Sequence, residues 1–455
     1  MDSTNGVVLA NRGIYTTAVT GPPAIAAPVV KKLDGTTLAL NTDYVFTVDS
    51  AGVGGTVTTI KRVSSSSAVG EGDIVTIAYA YSAPAYFTPQ RHTDYDTIVA
   101  MYGLPMVSTA PINPNSSQVA SPLSLAARVA IQNGATELVL VVTNPTDGDL
   151  RVQIQKAYDK IATDYGVTTV VPVLPDDLTV SSGTVATFAQ QLAQDLKAHC
   201  ENASAAGYMR IGFFGTPRNY SETDLTQEGL AASLDSKRVV LMYPHNLHMF
   251  NSATSQVAEV SGTYLAAAAV GRLSALPVNQ GLTRQAMNSF QGLPTAITQK
   301  MTKSYRDLLS GSGVAVAEID RLGRMSIRHG VATDMSALNT REISLTRQAD
   351  TLYALVQYGM EAADLIGQPI DAEMTSRVKG AITTILEQAK LSNVVVDYTD
   401  LKVRQQTALS GDPSVIEIKF AYRPAVPLNY VVIQFQINLT TGELADTADT
   451  NPVIT

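Results

Sequence analysis

The stretch RVVLMYP at 238–244 runs five apolar residues together, Val239 to Tyr243, and closes them with a proline. An unbroken apolar run of that length, bounded by a turn residue, is the pattern of a strand covered on both faces. MRIGFFG at 209–215, TTVVPVL at 168–174 and ELVLVVTN at 137–144 carry the same pattern. Between them the period lengthens. VQIQKAYDKIATDYG, ATFAQQLAQDLKAHCENA and DLTQEGLAASLD have helical spacing, with Phe188, Leu192, Leu196 and Cys200 at steps of four. Buried strands alternating with helices predict a parallel, doubly wound sheet across residues 93–340, with SGTYLAAAAVGRLSA at 261–275 as a helix packed against it.

Residues 1–92 read differently. NGVVLA, GIYTTAVTG, DYVFTVDS, GTVTTIKRV and DIVTIAYAY are short strand-forming runs separated by Gly, Pro, Asp and Ser, which predicts a small β-sandwich. GVGG at 52–55 is expected to be a turn and SSSSAVGEGD at 64–73 an exposed hairpin loop. Toward the C-terminus, GVAVAEID and RMSIRHGV flank a turn at 321–323 and predict a hairpin. Residues 341–455 then read as an α+β domain. One helix presents Leu345, Ala349, Leu352, Val356 and Met360, and is stopped by Gly367 and Pro369. A second buries Met374, Val378, Ala381, Ile385 and Ala389. The strands VVVDYTDLKVRQQ, SVIEIKFAY and YVVIQFQINL follow. In the last of these Val431, Ile433, Phe435, Ile437 and Leu439 share one face, opposite Gln434, Gln436 and Asn438. Pro424 and Pro427 precede it, so it is a candidate edge strand, and an uncovered edge invites pairing with another chain.

Composition narrows the function classes. At about 150 residues per domain, 455 residues suggest about three domains. A net charge of −8 with dispersed Lys and Arg argues against a nucleic-acid binder, which needs a basic footprint. Cys200 is the single cysteine, so an intrachain disulfide and a cysteine-based zinc cluster are excluded. No signal-peptide pattern opens the sequence, and no run approaches the ~18 apolar residues of a membrane span.

The predicted strand ends, TNPTDGD, LPDD, GTPRN and YPHN, are polar, as an α/β enzyme would require. No phosphate loop, dinucleotide fingerprint or nucleophile elbow accompanies them. His245 and His248 in HNLH have a spacing that a metal could use, but the polarity of a loop accounts for them more simply. Asp176 and Asp177 are an acid/base or Mg²⁺ candidate pair whose simpler reading is a solvated turn. His329 is expected to be packed or exposed rather than catalytic, and Cys200 to be a small core residue. No cofactor is called for.

The run SGVAVAEIDRLGRMSIRHGVATD, followed by NTREISLTRQADTLYALVQYGMEAADLIGQPI, VVVDYTDLKVRQQ and DPSVIEIKFAYRPAVPLNYVVIQFQINLTTG, resembles the C-terminal half of contractile-tail sheath proteins of bacteriophages. DYVFTVDSAGVGGTVTTIKRV with GDIVTIAYAY resembles their accessory sandwich domain, and TDYDTIVAMYGLP with ARVAIQNGATELVLVV resembles the opening of their central domain. The likeness spans about residues 5–440.

It implies a central domain of subtilisin-like topology without its catalytic residues, and subunits that form stacked hexameric rings around an inner tube. Implied partners are further copies of the chain, joined through strand exchange at Val431, Ile433, Phe435, Ile437 and Leu439, together with the tail tube, baseplate and tail terminator proteins. Arg377 and Lys379 lie on a candidate tube-facing helix. The implied location is the virion, after assembly in the host cytoplasm. Such proteins begin with an arm bearing a PGVYVEE-like segment; nothing like it precedes Asp2, so a truncated form is expected, whose lack of the arm would weaken polymerisation and could leave a soluble monomer. The rivals are a subunit of a bacterial contractile injection device, and an α/β hydrolase or metal-dependent enzyme using Asp176, Asp177, His245 and His248.

Overall fold

The computed structural model describes residues 2–8, 16–20, 29–32, 34–49, 57–63, 65–69, 74–79, 86–106, 121–144, 149–175, 178, 184–218, 220, 225, 229–252, 255–371, 373–407 and 411–429. Within them lies a mixed α/β fold of several parts.

The N-terminal strands are β1 (Asp2–Val8), β2 (Thr16–Thr20), β3 (Val29–Lys32), β4 (Tyr44–Asp49), β5 (Val57–Arg62) and β6 (Ile74–Tyr79). They make two three-stranded antiparallel sheets, ordered β1-β6-β3 and β2-β5-β4. Because β5 and β6 belong to different sheets, the 64–73 segment joins two sheets and is not a hairpin loop. Nor is it uniformly exposed. Val69 is buried, and the Ser66 hydroxyl, also buried, donates to Asp43 at 2.6 Å. The GVGG turn lies outside the described residues.

β7 (Gln90–His92), α1 (Tyr95–Tyr102), α2 (Pro122–Gln132), β8 (Leu138–Leu140) and α3 (Leu150–Ile161) come next. α2 starts where its sequence says it should: Ser121 accepts from the Ser124 amide and Pro122 occupies the first turn. β8 corrects an expectation. It pairs antiparallel with β7 and joins no parallel ladder among the described residues. Phe87 extends that pairing by donating its amide to the Val142 carbonyl, so one edge of 137–144 is taken by the preceding chain.

The central sheet is built from β9 (Thr169–Val170), β10 (Ile211–Gly215) and β11 (Val239–Tyr243), with α4 (Val185–Ala205) and α5 (Leu230–Leu234) between them. A separate hairpin, β12 (Asn246–Asn251) and β13 (Gln256–Ser261), leads into α6 (Gly262–Ala275). α7 (Thr295–Lys300) and α8 (Lys303–Gly311) then return the chain to β14 (Val314–Ile319) and β15 (Met325–Ile327). The sheet order is β15-β14-β11-β10-β9, parallel except for the β14–β15 hairpin that the sequence predicted.

Both faces are covered, which is why all five residues of β10 and of β11 are buried. Phe213, Val240, Met242 and Ala315 pack with α2 and α6 on one side. Phe214, Leu241, Tyr243 and Val314 pack with α3, α4 and α5 on the other. Cys200 lies in that second core on the α4 stripe, fully buried as expected.

α9 (Leu338–Arg341) leads to α10 (Ile343–Ala362), α11 (Met374–Leu391), β16 (Val395–Gln405) and β17 (Ile416–Pro424). α10 and α11 enclose a core of Leu352, Val378, Ile382, Ile385, Leu386 and Ala389, against which the β16–β17 ribbon lies.

Candidate assembly surface

α10 ties the terminal ribbon to the central sheet. Asp350 on α10 takes both terminal nitrogens of Arg238, the residue before β11, at 2.9 Å each, in a largely buried bidentate pair. Three residues earlier, Arg347 donates to the carbonyls of Leu276, Pro277 and Gln280 just past the end of α6. A cation there answers the negative end of the helix dipole. Burial pushes the Arg347 guanidinium down to about 10, so it remains charged at neutral pH.

The ribbon itself is long and thinly covered. β16 has 11 residues and β17 has 9, in antiparallel register from Val395 opposite Pro424 to Gln405 opposite Ile416, with irregularities after Val395 and Thr399. Ile416, Ile418, Phe420 and Tyr422 alternate toward the α10–α11 core, while Glu417 on the other face accepts from Arg404 and Lys419 at 2.8 Å each. Those four apolar side chains are only half-buried. The described sheet has two strands, so each has one unpaired edge among the described residues. A two-stranded ribbon gains stability from further strands or from packing on helices, and here the packing is incomplete.

Past β17 the chain is held by side-chain hydrogen bonds. Gln348, fully buried on α10, accepts from the Ala425 amide at 2.8 Å and donates to the Ala425 carbonyl at 2.9 Å. Asn429 donates to Glu342 Oε1 at 2.9 Å, and His329 Nε2 lies 2.9 Å from the same oxygen. Glu342 and His329 are both buried. The root of the segment that follows Asn429 is thereby anchored to both α10 and the strap after β15. Val426 and Leu428, between the two anchors, are exposed.

No family model matches the chain. The tail sheath protein of Mycobacterium phage Bxz1 is 29% identical over 450 residues, covering 97% of this chain and 71% of that relative. This chain is a homologue of that tail sheath protein.

Among solved structures, the homologue resembles a chain of the anti-feeding prophage baseplate in its contracted state, with TM-score 0.59 and 14% identity over 78% of this chain and 91% of that one. It also resembles the sheath complex of the extracellular contractile injection system PVC in its contracted state, with TM-score 0.56 and 13% identity over 78% and 88%. The anti-feeding prophage helical sheath in its contracted state gives TM-score 0.54 and 13% identity over 77% and 88%. At these identities the likeness is one of fold.

Among the described residues, the sequence-derived candidates do not gather into one site. Val431, Ile433, Phe435, Ile437 and Leu439 lie outside the described residues, as do Asp176 and Asp177. Arg377 is exposed on α11 and pairs with Asp371 at 2.8 Å; Lys379, also exposed, is two residues on. His248 is not a loop residue, whereas His245 sits in the two-residue bend between β11 and β12. His245 is buried after β11, and His248 stands on β12 directly across from Glu259, 3.7 Å away. Alternation within the β12–β13 hairpin, which the sequence reading missed, accounts for the polarity of His248 better than a turn does, while His245 keeps its place in the connection. Among the described residues, no three His, Cys, Asp or Glu side chains gather as a metal site. Burial pushes the Cys200 thiol up to about 12, the reverse of what a nucleophile needs.

Sequence reasoning also missed Gln348, Glu342 and Asn429. Their signal was faint: a Gln and a Glu on the buried stripe of a predicted helix are polar groups that must find partners.

Proposed function

We propose that the chain is a structural subunit of a contractile tail sheath, polymerising as stacked hexameric rings around an inner tail tube and contracting to drive the tube through a host envelope. The observation that carries this is the β16–β17 ribbon, with edges unpaired among the described residues and a half-covered apolar face, whose continuation is anchored at Ala425 and Asn429. A strand from a neighbouring copy would fill backbone groups along an edge and lay alternate side chains onto the half-buried face, which is β-augmentation. Val431, Ile433, Phe435, Ile437 and Leu439 are the residues we assign to that exchange. Globular bodies joined by such strands can slide and re-dock while pairing persists. No nucleotide is required.

The finer anatomy belongs to this proposal: divisions near residues 92 and 340, a sandwich arrangement of the two N-terminal sheets, a subtilisin-like ordering of the central domain, and a tube-facing role for Arg377 and Lys379. Tail tube, baseplate and terminator proteins are the partners it calls for, the virion tail the location. The same role in a contractile injection system is the second reading, favoured by the fold of the PVC and anti-feeding prophage chains. Genes for capsid and genome packaging beside the coding sequence would decide for the phage.

Electron microscopy tests the proposal. The protein co-expressed with its tail tube protein is expected to form hollow tubes of helical symmetry, and a Phe435→Asp variant to remain dispersed although folded. Dispersed wild-type particles under all assembly conditions would overturn it.

A further inference from the structure

The β14–β15 hairpin and α8 make a local surplus of positive charge in a chain whose net charge is −8. Glu318 on β14, a buried residue, is contacted by three guanidinium groups: Arg284 at 2.6 Å, Arg306 at 2.6 Å and Arg328 at 3.0 Å. Arg328 also reaches Asp307, which Lys303 approaches at 3.6 Å. Two carboxylates therefore face four cations in one connected network. At the hairpin tip, Arg324 pairs with Asp320, and Arg321 is exposed with no ion pair among the described residues. Between them Leu322 is 75% exposed.

The connector between α10 and α11 is the converse. Glu361, Asp364 and Glu373 are exposed and have no ion pair among the described residues, while Asp371 is answered by Arg377. At the middle of that acidic set stands Ile366, 72% exposed. Each surface thus carries one bare aliphatic side chain with charged residues beside it in the chain, and the charges left unpaired among the described residues are opposite in sign: Arg321 on the tip, and Glu361, Asp364 and Glu373 on the connector.

We infer that the hairpin tip of one copy docks on the α10–α11 connector of a second copy, with Leu322 beside Ile366 and Arg321 and Arg324 against Glu361 and Asp364. Opposed charge would steer and register the contact, and the aliphatic pair would exclude water at its centre. The two patches differ, so the contact is head-to-tail and propagates or closes into a ring instead of stopping at a dimer. The inference rests on the self-assembly reading above, but it concerns body contacts and not strand exchange.

Cross-linking tests it directly. Leu322→Cys and Ile366→Cys are made in separate chains, mixed, and treated with a short bismaleimide; Cys200, buried and with its thiol pushed up to about 12, does not compete. A covalent dimer is expected from the mixture and not from either chain alone. Adding Arg321→Glu and Arg324→Glu to the first chain should cut its yield at least about fivefold at low salt. Glu361→Lys and Asp364→Lys in the second chain should restore it. Melting curves of every variant should match the wild type, since the substituted positions are all exposed. No mixed dimer, or one indifferent to charge reversal, overturns the contact. Tubes without this cross-link would remove the contact and leave the sheath reading standing; the cross-link without tubes would do the opposite.

Discussion

Gly215 ends β10 where α6 begins, and a Cβ there would overlap the carbonyl of Gly262 and crowd the Thr263 amide. Backbone occupies that space, so nothing flexible can yield. Gly215→Ala should cost about 3 kcal/mol or more, read as a drop in the denaturant midpoint at unchanged slope. His199 makes a different kind of prediction. It stacks on Tyr158 at 4.7 Å between ring centroids and accepts from the buried Arg210 at 2.9 Å. Burial first, and the Arg210 charge second, push the imidazole down to about 4. The unfolded chain therefore binds a proton near pH 6.5 that the folded chain refuses. The stability this adds is full above that pH and is lost as pH falls toward 4, on the order of 2 kcal/mol once solvent screening of the partly exposed ring is discounted. Urea midpoints measured from pH 7 to pH 4 should fall less steeply in His199→Gln than in the wild type. A single buried glutamine, Gln348, fixes the backbone of Ala425 through both ends of its amide. Gln348→Leu leaves both Ala425 groups without their partners: it should cost about 1–3 kcal/mol and raise hydrogen exchange at Ala425.

Elements with strong periods were legible and those built by partnership were not. The run 239–243 and the α4 stripe through Leu192, Leu196 and Cys200 declare their burial because apolar side chains recur at the period of the element. α11 shows the same economy. Of the stripe read from the sequence, Met374, Val378, Ile385 and Ala389 are buried and Ala381 is only half-buried, while Ile382 and Leu386 complete the buried face. Ile382→Ala should cost about 2–5 kcal/mol because the residue sits fully buried beneath the ribbon. β3, β7 and β12 carry no such period: a strand of 3 residues, as β7 is, or one mixing His, Asn and Phe, is a strand only because a neighbour pairs with it. The same cause hid the site. Arg238 and Asp350 are 112 residues apart, and Gln348 and Ala425 are 77 apart, so no local pattern announces either contact.

At the scale of the whole molecule, folding and assembly should be separable. Among the described residues, β10, β11 and α6 share their cores with the elements around them, and the ribbon is seated on α10 and α11 up to Asn429. If the terminal strand serves a neighbour, then charging its apolar face should leave the single chain's stability almost unchanged and abolish association. If it folds back onto its own ribbon, the same change should cost stability within the chain. Ile433→Asp with Ile437→Asp tests this in one protein. Strand exchange between copies predicts a wild-type melting temperature for the isolated chain, within about 2 °C, together with loss of large particles in sedimentation velocity and of tubes in micrographs. A melting temperature lowered by about 5 °C or more would place the strand on its own body. Unimpaired tubes would remove these residues from the exchange altogether and turn attention to the outer edges of β16 and β17, whose backbone groups, unpaired among the described residues, are where a neighbouring strand could still add.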